Sequence, residues 1–270
     1  TNSENIAIGQ SALYYIEGAT DNVAIGHYAA NAITTGVKNV VIGSTAGDAL
    51  TTASGNVAVG YNSLSAATTA HENTAVGQDA GKVLTGGYNV AIGSKAALAA
   101  TSTTLSTIVG NEAGQGVMTG EANTILGYRA GYDLTSGHDN VFIGREAAQN
   151  ATTVMRESVV IGMQAMDSYT TNSSHGRFTV VGAGAGLGVV STDSGKNNYT
   201  AIGFQAGYSD KSDSSHQLFG ASAGYNLSGS SGEDGCTFVG GGSGKGDALG
   251  FIGNDTTGLG RGVFSDDARY

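Results

Sequence analysis

The sequence predicts an all-β fold, a β-solenoid or β-roll of about 15 coils with a 17-residue repeat. A six-residue pattern recurs along the chain. In each copy an asparagine at the second position is followed by three apolar residues and a final glycine. Abundant Val and Ile and a complete lack of proline support the same fold. Clear copies of the pattern are ENIAIG at Glu4–Gly9, DNVAIG at Asp21–Gly26, GNVAVG at Gly55–Gly60, YNVAIG at Tyr88–Gly93 and DNVFIG at Asp139–Gly144.

The glycine that ends each copy defines a unit and is called the anchor glycine. Successive anchors are 16–17 residues apart as far as Gly144 and 13–21 residues apart beyond it. Repeats of this regularity indicate stacked units that bury a shared core. The predicted anchors are Gly9, Gly26, Gly43, Gly60, Gly77, Gly93, Gly110, Gly127, Gly144, Gly162, Gly182, Gly203, Gly220, Gly240 and Gly253.

Each unit fits one solenoid coil of two short strands and two turns, because a repeat of two helices needs about 30 residues or more. In Asn22-Val23-Ala24-Ile25-Gly26, we call the first four positions the opening, first flanking, middle and second flanking columns. Strand alternation sends the two flanking columns to one face and the opening and middle columns to the other. We predict that the flanking Val and Ile form the core. Asn can hydrogen bond within the turn or to the Asn of the next coil.

Composition narrows the classes of structure and partner. The chain has 270 residues with 45 glycines and no proline, and proline is excluded from strands that are paired on both sides. A net charge of −10 with 12 basic residues argues against nucleic-acid binding. The single cysteine, Cys236, excludes an internal disulfide framework and is expected to be an inert, half-buried thiol. No apolar run approaches the length of a membrane span.

The repeat divides the chain into three predicted regions. Residues 1–162 form the regular solenoid, residues 163–253 form a solenoid with longer loops, and residues 254–270 form a C-terminal cap. With the flanking columns inside, the alanines of the middle column would make an outward apolar stripe. Such a stripe would be a liability on a single chain, so we expect association with further copies.

The longer late coils supply the predicted binding residues. Insertions in a solenoid become loops on one flank, where binding sites are common. Aromatic and polar side chains there suit sugar rings, although solvated turns without a ligand are the alternative. The receptor-binding candidates are Tyr169, His175, Tyr208, Asp210, Asp213, His216 and Tyr225. The two variable positions after each anchor are expected to form a water-facing surface rather than a binding ladder.

No metal or cofactor site is predicted. The five histidines occupy mostly different columns, so one chain forms no zinc cluster. The segment GGGSGKGD at Gly240–Asp247 lacks the Ser or Thr after Lys245 that a phosphate loop needs, and its Asp is misplaced for a calcium repeat. We interpret it as a structural turn.

The pattern N-[VT]-A-[IV]-G-x-x-A-[LG] resembles two groups of proteins over residues 5 to about 253. One is the β-roll head of trimeric autotransporter adhesins, and the other, which is more similar, is the repetitive shaft of bacteriophage tail fibres. The tail-fibre resemblance implies an elongated homotrimer in the virion that contacts other tail proteins. It also implies attachment to a bacterial surface molecule, a polysaccharide or protein receptor. The alternative is an adhesin passenger on the bacterial cell surface.

The C-terminal segment Phe264–Tyr270 resembles the junction before the intramolecular chaperone of endosialidase-type phage fibres. By that resemblance Ser265 is the cleavage-site residue and Asp266 follows it, with one inserted residue relative to the family pattern. The resemblance implies that the chain is part of a longer protein and that any autocatalytic cleavage belongs to a downstream domain.

The chain itself is not predicted to be an enzyme. Hexapeptide acyltransferases need three hexads per coil, whereas the pattern appears once per 17 residues here. A polysaccharide-depolymerising tailspike is a lesser alternative, because glycoside hydrolysis uses two carboxylates. The pairs available in the late coils are Asp210 with Asp213 and Glu233 with Asp234.

Overall fold

The structure of the protein is a computed structural model. It describes residues 3–151, 155–171, 176–191, 198–211, 216–227, 235–244 and 257–260. The chain forms two compact units, residues Thr1–Arg129 and Ala130–Tyr270.

The first unit is a stack of short parallel strands in chain order. Each strand pairs in register with the equivalent residues of the next, for example Val23 with Val40 and Ala24 with Val41. The strands are β1 Ile6–Ile8, β2 Val23–Ile25, β3 Val40–Ile42, β4 Val57–Val59, β5 Thr74–Val76, β6 Val90–Ile92, β7 Thr107–Val109 and β8 Thr124–Leu126.

The second unit continues the same plan with longer spacing. Its strands are β9 Val141–Ile143, β10 Val159–Ile161, β11 Thr170–Thr171, β12 Phe178–Val181, β13 Val190–Ser191, β14 Tyr199–Ile202, β15 Gln217–Phe219, β16 Thr237–Val239 and β17 Thr257–Leu259. Strands β11 and β13 pair in a small second sheet. Among the described residues, fifteen parallel strands carry the repeat and no helix occurs, which confirms the all-β solenoid.

The burial of the strands corrects the predicted facing. The middle column is inside: Ala24, Ala58 and Ala91 are at most 1 % exposed, whereas the flanking residue Ile92 is 38 % exposed. The alternation is therefore as predicted, but its phase is reversed. The reason is space, because the opposite wall of the coil already contributes large buried side chains such as Ile33 and Leu50. Small residues from the strand complete a densely packed core.

The second glycine of many units reflects this limited space. Gly114 stands four residues after its anchor, and a Cβ there would lie 2.8 Å from Met118 Sδ and 3.3 Å from Ile108 Cγ2. In the coil where the middle residue is Ala58, the same position holds the buried Leu64. The middle residue and the residue opposite it share this space, as Ile108 does with Gly114 and Ala58 does with Leu64.

The anchor glycines cannot carry a side chain. Their φ angles include 133° at Gly60 and 135° at Gly77, which L-residues rarely adopt. A Cβ on Gly60 would also lie 2.5 Å from the carbonyl oxygen of Gly77 in the next coil. The backbone of one coil thus occupies the space in which the side chain of the preceding coil would lie.

The far side of each coil is not the regular second strand that we predicted. It is a run of turns in which left-handed residues alternate with others, such as Ser11 at φ 59° and Leu13 at φ 50°. Its N–H groups point alternately to the two neighbouring coils. Tyr28 donates to the Gln10 carbonyl at 2.9 Å, and Ala30 donates to the Ala46 carbonyl at 3.0 Å. Many of these left-handed residues are not glycine, so the sequence pattern did not reveal them.

The opening column forms the predicted asparagine ladder. The backbone N–H of Asn56 donates to Asn39 Oδ1 at 3.0 Å, and the N–H of Asn73 donates to Asn56 Oδ1 at 3.0 Å. The Asn56 side-chain amide also donates to the Ala70 carbonyl at 2.8 Å. Because these asparagines are buried, each one satisfies backbone groups that water cannot reach.

The last repeat unit differs from the predicted one. Strand β17 pairs Thr257 with Thr237 and Leu259 with Val239, so Gly260 follows in the anchor column. The prediction of Gly253 as this anchor was wrong. A chance Phe-Ile-Gly triplet at 251–253 resembled the pattern, whereas the paired strand lies 20 residues after β16.

We predict that Ala91→Asp unfolds the coils around β6, because it places an uncompensated charge in the core at a cost of about 3–5 kcal/mol. Ile92→Asp, one residue away, should keep the β-sheet circular dichroism spectrum because its side chain points outward. Far-UV spectra and thermal melts of both variants test the reversed facing, and equal loss of structure in the two would contradict it.

We predict that Asn56→Ala lowers the free energy of unfolding by about 1–3 kcal/mol, because the buried N–H of Asn73 loses its acceptor. Asn56→Ser is the matched control, since Ser106 stands in the same column and its Oγ accepts the Asn123 N–H at 3.1 Å. Urea unfolding with unchanged m-values measures the difference. A serine variant as unstable as the alanine variant would show that the ladder acceptor is unimportant.

Candidate functional site

The opening column changes character in the second unit. Ser158 accepts the N–H of Phe178 at 3.1 Å, and after it other residue types replace Asn and Ser in the column. Phe178, Tyr199, His216 and Cys236 occupy successive coils there, and all are at most 1 % exposed. Phe178 and Tyr199 thus bring two aromatic rings into the core at the place where the column changes.

A polar groove of about 260 Å³ opens over this part of the sheet. Phe178 and Tyr199 lie beneath it, and they are themselves buried. The polar side chains that line it are Glu157, Arg177, Thr179, Asn198, Thr200 and Gln217.

The groove is polar because the first flanking column is polar in three successive strands. Val159 of β10 is followed in this column by Thr179, Thr200 and Gln217 in successive paired strands. Gln217 Nε2 donates to the Asn198 carbonyl oxygen at 3.0 Å, which fixes one wall. The result is a row of hydroxyl and amide groups on the outward face of the sheet.

An ion pair lies at the edge of the groove. Arg177 Nε is 2.7 Å from Glu157 Oε2, and the two side chains are 63 % and 52 % exposed. A pair this exposed adds little stability, so the arginine can exchange its partner for a ligand at low cost. The groove thus combines the guanidinium group of Arg177, the carboxylate of Glu157 and neutral hydrogen-bonding groups.

A buried polar cluster lies behind the groove. His216 Nε2 is 4.0 Å from Asp210 Oδ2, and both side chains are fully buried. Burial, followed by the charge and hydrogen bonding of Asp210, raises the pKa of the Tyr199 hydroxyl well above its ordinary value. Gly207 leaves room for this hydroxyl, because a Cβ there would overlap the Tyr199 oxygen.

Three predicted sugar-contact residues are in the core instead. Tyr169 is 2 % exposed and packs edge-on against Phe178 with ring centroids 4.9 Å apart. Asp210 and His216 are 0 % exposed. The prediction was wrong because these residues occupy inward-facing columns of the coil, which composition alone does not indicate. Asp210 is also too deeply buried to act as a surface carboxylate for glycoside hydrolysis.

Tyr208 and Tyr225 are half-buried and stack on each other, with ring centroids 4.9 Å apart and planes 7° from parallel. They occupy the same position of adjacent coils and remain candidates for receptor contact. His175, Asp213, Ser265 and Asp266 lie outside the described residues, as do Glu233 and Asp234.

Positions two residues after the anchors form side-chain pairs between coils rather than a simple solvated surface. Asn62 Nδ2 donates to Asp79 Oδ1 at 3.2 Å. Glu112 lies 3.9 Å from Lys95 Nζ on one side and 2.7 Å from Arg129 Nε on the other. These pairs align neighbouring coils.

Sequence reasoning missed the groove, although a signal was present. The signal was the replacement of Asn by Phe178 and Tyr199 together with the replacement of Val by Thr and Gln in the next column. Cys236 is fully buried, more deeply than predicted.

The described part of the chain contains neither a metal-ligand cluster nor a membrane-spanning helix. No group of three or more His, Cys, Asp or Glu residues there could hold a metal ion. In the same residues, no helix has the length and hydropathy needed to cross a membrane. Comparisons with protein-family models, curated proteins and solved structures gave no match to this chain.

Proposed function

We propose that the chain is a shaft-forming and receptor-binding segment of a bacteriophage tail fibre, assembled as a homotrimer. In this proposal, stacked coils provide a stiff support and the groove of the second unit attaches to a bacterial surface molecule. The proposal combines the resemblance of the repeat with two features of the structure, an outward apolar column and a polar groove.

The outward apolar column is the observation that carries the proposal. The second flanking column contains only aliphatic residues and one Phe, and none of its described members is fully buried. Exposed members include Ile92 at 38 %, Leu126 at 46 %, Ile202 at 38 % and Val239 at 39 %. Contiguous apolar surface of this kind indicates an interaction site. A column that repeats in every coil suits a second copy of the same chain, which carries the same repeat.

The groove supports receptor attachment through its chemistry. Planar polar groups such as those of Arg177, Asn198 and Gln217 can each form two directed hydrogen bonds, and Thr179 and Thr200 add hydroxyl groups. A surface polysaccharide offers many hydroxyls and, in acidic forms, carboxylates that a guanidinium group binds well. Several copies of one groove in an assembly would add avidity to a weak individual site.

The two roles can share one face of the sheet in the second unit. Across β12, β14 and β15 the first flanking column is polar, while the second flanking column remains apolar as Val181, Ile202 and Phe219. Copies would pack along the apolar column, and the ligand would occupy the polar one.

For assembly, we predict that the wild-type chain sediments as a trimer and that Ile92→Asp shifts it toward the monomer. The new charge would have to be desolvated at the interface, whereas in one chain it faces water. Sedimentation equilibrium of both proteins tests this. A monomeric wild type at micromolar concentration would contradict the assembly.

For attachment, we predict that Arg177→Ala weakens binding to bacterial surface polysaccharides about tenfold or more, because a charge-assisted hydrogen bond contributes about 1.5–3 kcal/mol. Arg145→Ala is the matched control, since Arg145 also pairs with a neighbouring carboxylate, Glu146, at 3.1 Å but does not line the groove. Binding to an array of such polysaccharides measures both variants. Equal binding by the two would remove the groove from the receptor site.

A further inference from the structure

The charge in the groove of the second unit lies at one edge. Among the described residues that line the groove, Arg177 is the one cation and Glu157 is the one carboxylate. The other polar side chains of the lining, such as Thr200 and Gln217, are neutral. These two charged residues therefore decide how the groove distinguishes ligands by their charge.

Glu157 engages one edge of the Arg177 guanidinium group. Nε of the arginine donates to Glu157 Oε2 at 2.7 Å, and Nη2 donates to Glu157 Oε1 at 3.4 Å. Within the described part of the chain Nη1 makes no hydrogen bond, and the arginine side chain is largely exposed. The end of the guanidinium group formed by Nη1 and Nη2 can therefore receive a second carboxylate, which matches its two parallel N–H groups.

The two aromatic residues of the groove are too deeply buried to stack on a sugar ring. Phe178 and Tyr199 belong to the lining, but both are at most 1 % exposed. Recognition in the groove must therefore come from hydrogen bonds and charge. A neutral hydrogen bond replaces one to water with little net gain, whereas a hydrogen bond to a charged group contributes more. Arg177 is thus the strongest single contact that the groove can offer.

We propose that the groove selects a carboxylate-bearing sugar, whose carboxylate binds the open end of the Arg177 guanidinium group. This selection rests on the receptor-binding role of the groove proposed above. It adds the chemical class of the receptor, an acidic polysaccharide whose charge is carried by carboxylates.

A row of neutral side chains continues the site away from Arg177. Thr179 of β12 pairs with Thr200 of β14, and Thr200 pairs with Gln217 of β15. These residues therefore follow one another at the strand spacing of about 4.8 Å. Gln217 Nε2 donates to the Asn198 carbonyl oxygen at 3.0 Å, which leaves Gln217 Oε1 to accept a sugar hydroxyl. The groove thus takes an acidic sugar at one end and neutral sugar groups beyond it.

Glu157 moderates this selection. Its carboxylate holds Nε of Arg177, but its charge also repels a ligand carboxylate on the same guanidinium group. A glutamine at this position would keep an oxygen that accepts the Nε–H and would remove the opposing charge. Loss of that charge should strengthen the binding of an acidic ligand and leave the binding of a neutral ligand unchanged.

The charge of the whole chain also repels acidic polymers, so the local effect needs a matched control. The net charge is −10, and at about 0.15 M salt interactions beyond about 8 Å are largely screened. Glu146→Gln changes the net charge by the same amount as Glu157→Gln. Glu146 also pairs with an arginine, Arg145, at 3.1 Å, but it does not line the groove.

The test uses the full chain at that salt concentration and the polysaccharide array proposed for Arg177→Ala. Each acidic polymer is paired with the same polymer after chemical reduction of its carboxylates to alcohols. The wild type should bind the acidic form about tenfold or more tightly than the reduced form, because the charge-assisted hydrogen bond is lost. Arg177→Ala should bind the two forms equally.

Glu157→Gln gives the second measurement. It should bind the acidic form about threefold more tightly than Glu146→Gln does, and the two variants should bind the reduced form equally. A Glu157→Gln variant that binds the acidic form no more tightly than Glu146→Gln would overturn the selection. The comparison of the two polymer forms needs only the wild type, so it does not depend on the folding of a variant.

Failure of the selection and failure of the receptor site give different results. If Arg177→Ala and Arg145→Ala bind the array equally, the groove is not the receptor site and both proposals are lost. If Arg177→Ala alone weakens binding, the groove remains the receptor site. The carboxylate selection is then overturned when the bound polymers are neutral, carry only phosphodiester groups, or bind equally well after reduction.

Discussion

In-register stacking of equivalent residues is the constraint on which the rest of the structure depends. Each residue in a coil lies beside the equivalent residue of the next coil. The side chains of one column must therefore fit beside each other at the distance between paired strands. The anchor glycines show the constraint most directly, since a Cβ on Gly77 would lie 2.5 Å from the carbonyl oxygen of Gly93. The same stacking allows the asparagine ladder, because the side-chain amide oxygen of one asparagine accepts the backbone N–H of the equivalent asparagine in the next coil.

The narrow interior of the coil explains why the strands face as they do. The strand and the turns opposite it share this interior, so alanine occupies the middle column in many coils and larger residues then come from the other wall, as with Leu64 opposite Ala58. The Val and Ile of the flanking columns are left on the outside, partly covered by their neighbours along the column. The exposed apolar column therefore follows from the geometry of the core.

The candidate site arises from changes in the same columns. Replacing Asn with Phe178 and Tyr199 in the opening column fills the interior, and replacing Val with Thr200 and Gln217 makes the outer face polar. His216 retains the ladder hydrogen bond, with an imidazole nitrogen as the acceptor. The groove and the buried cluster are thus neighbouring consequences of a few substitutions in a repeated plan.

The sequence by itself determined the solenoid, its period and its columns, because glycine at the anchors and asparagine in the opening column are imposed by local backbone geometry and repeat visibly. It did not determine which face of a strand lies inside. Strand alternation requires only that adjacent residues point to opposite faces of the sheet. Whether Ala91 or Ile92 points into the core depends on the volume that the side chains of the opposite wall leave free. For the same reason Asp210 and His216 looked like loop residues and are in fact core residues. Only the tertiary structure, through the packing of one coil on the next, brought the groove residues and the buried cluster together.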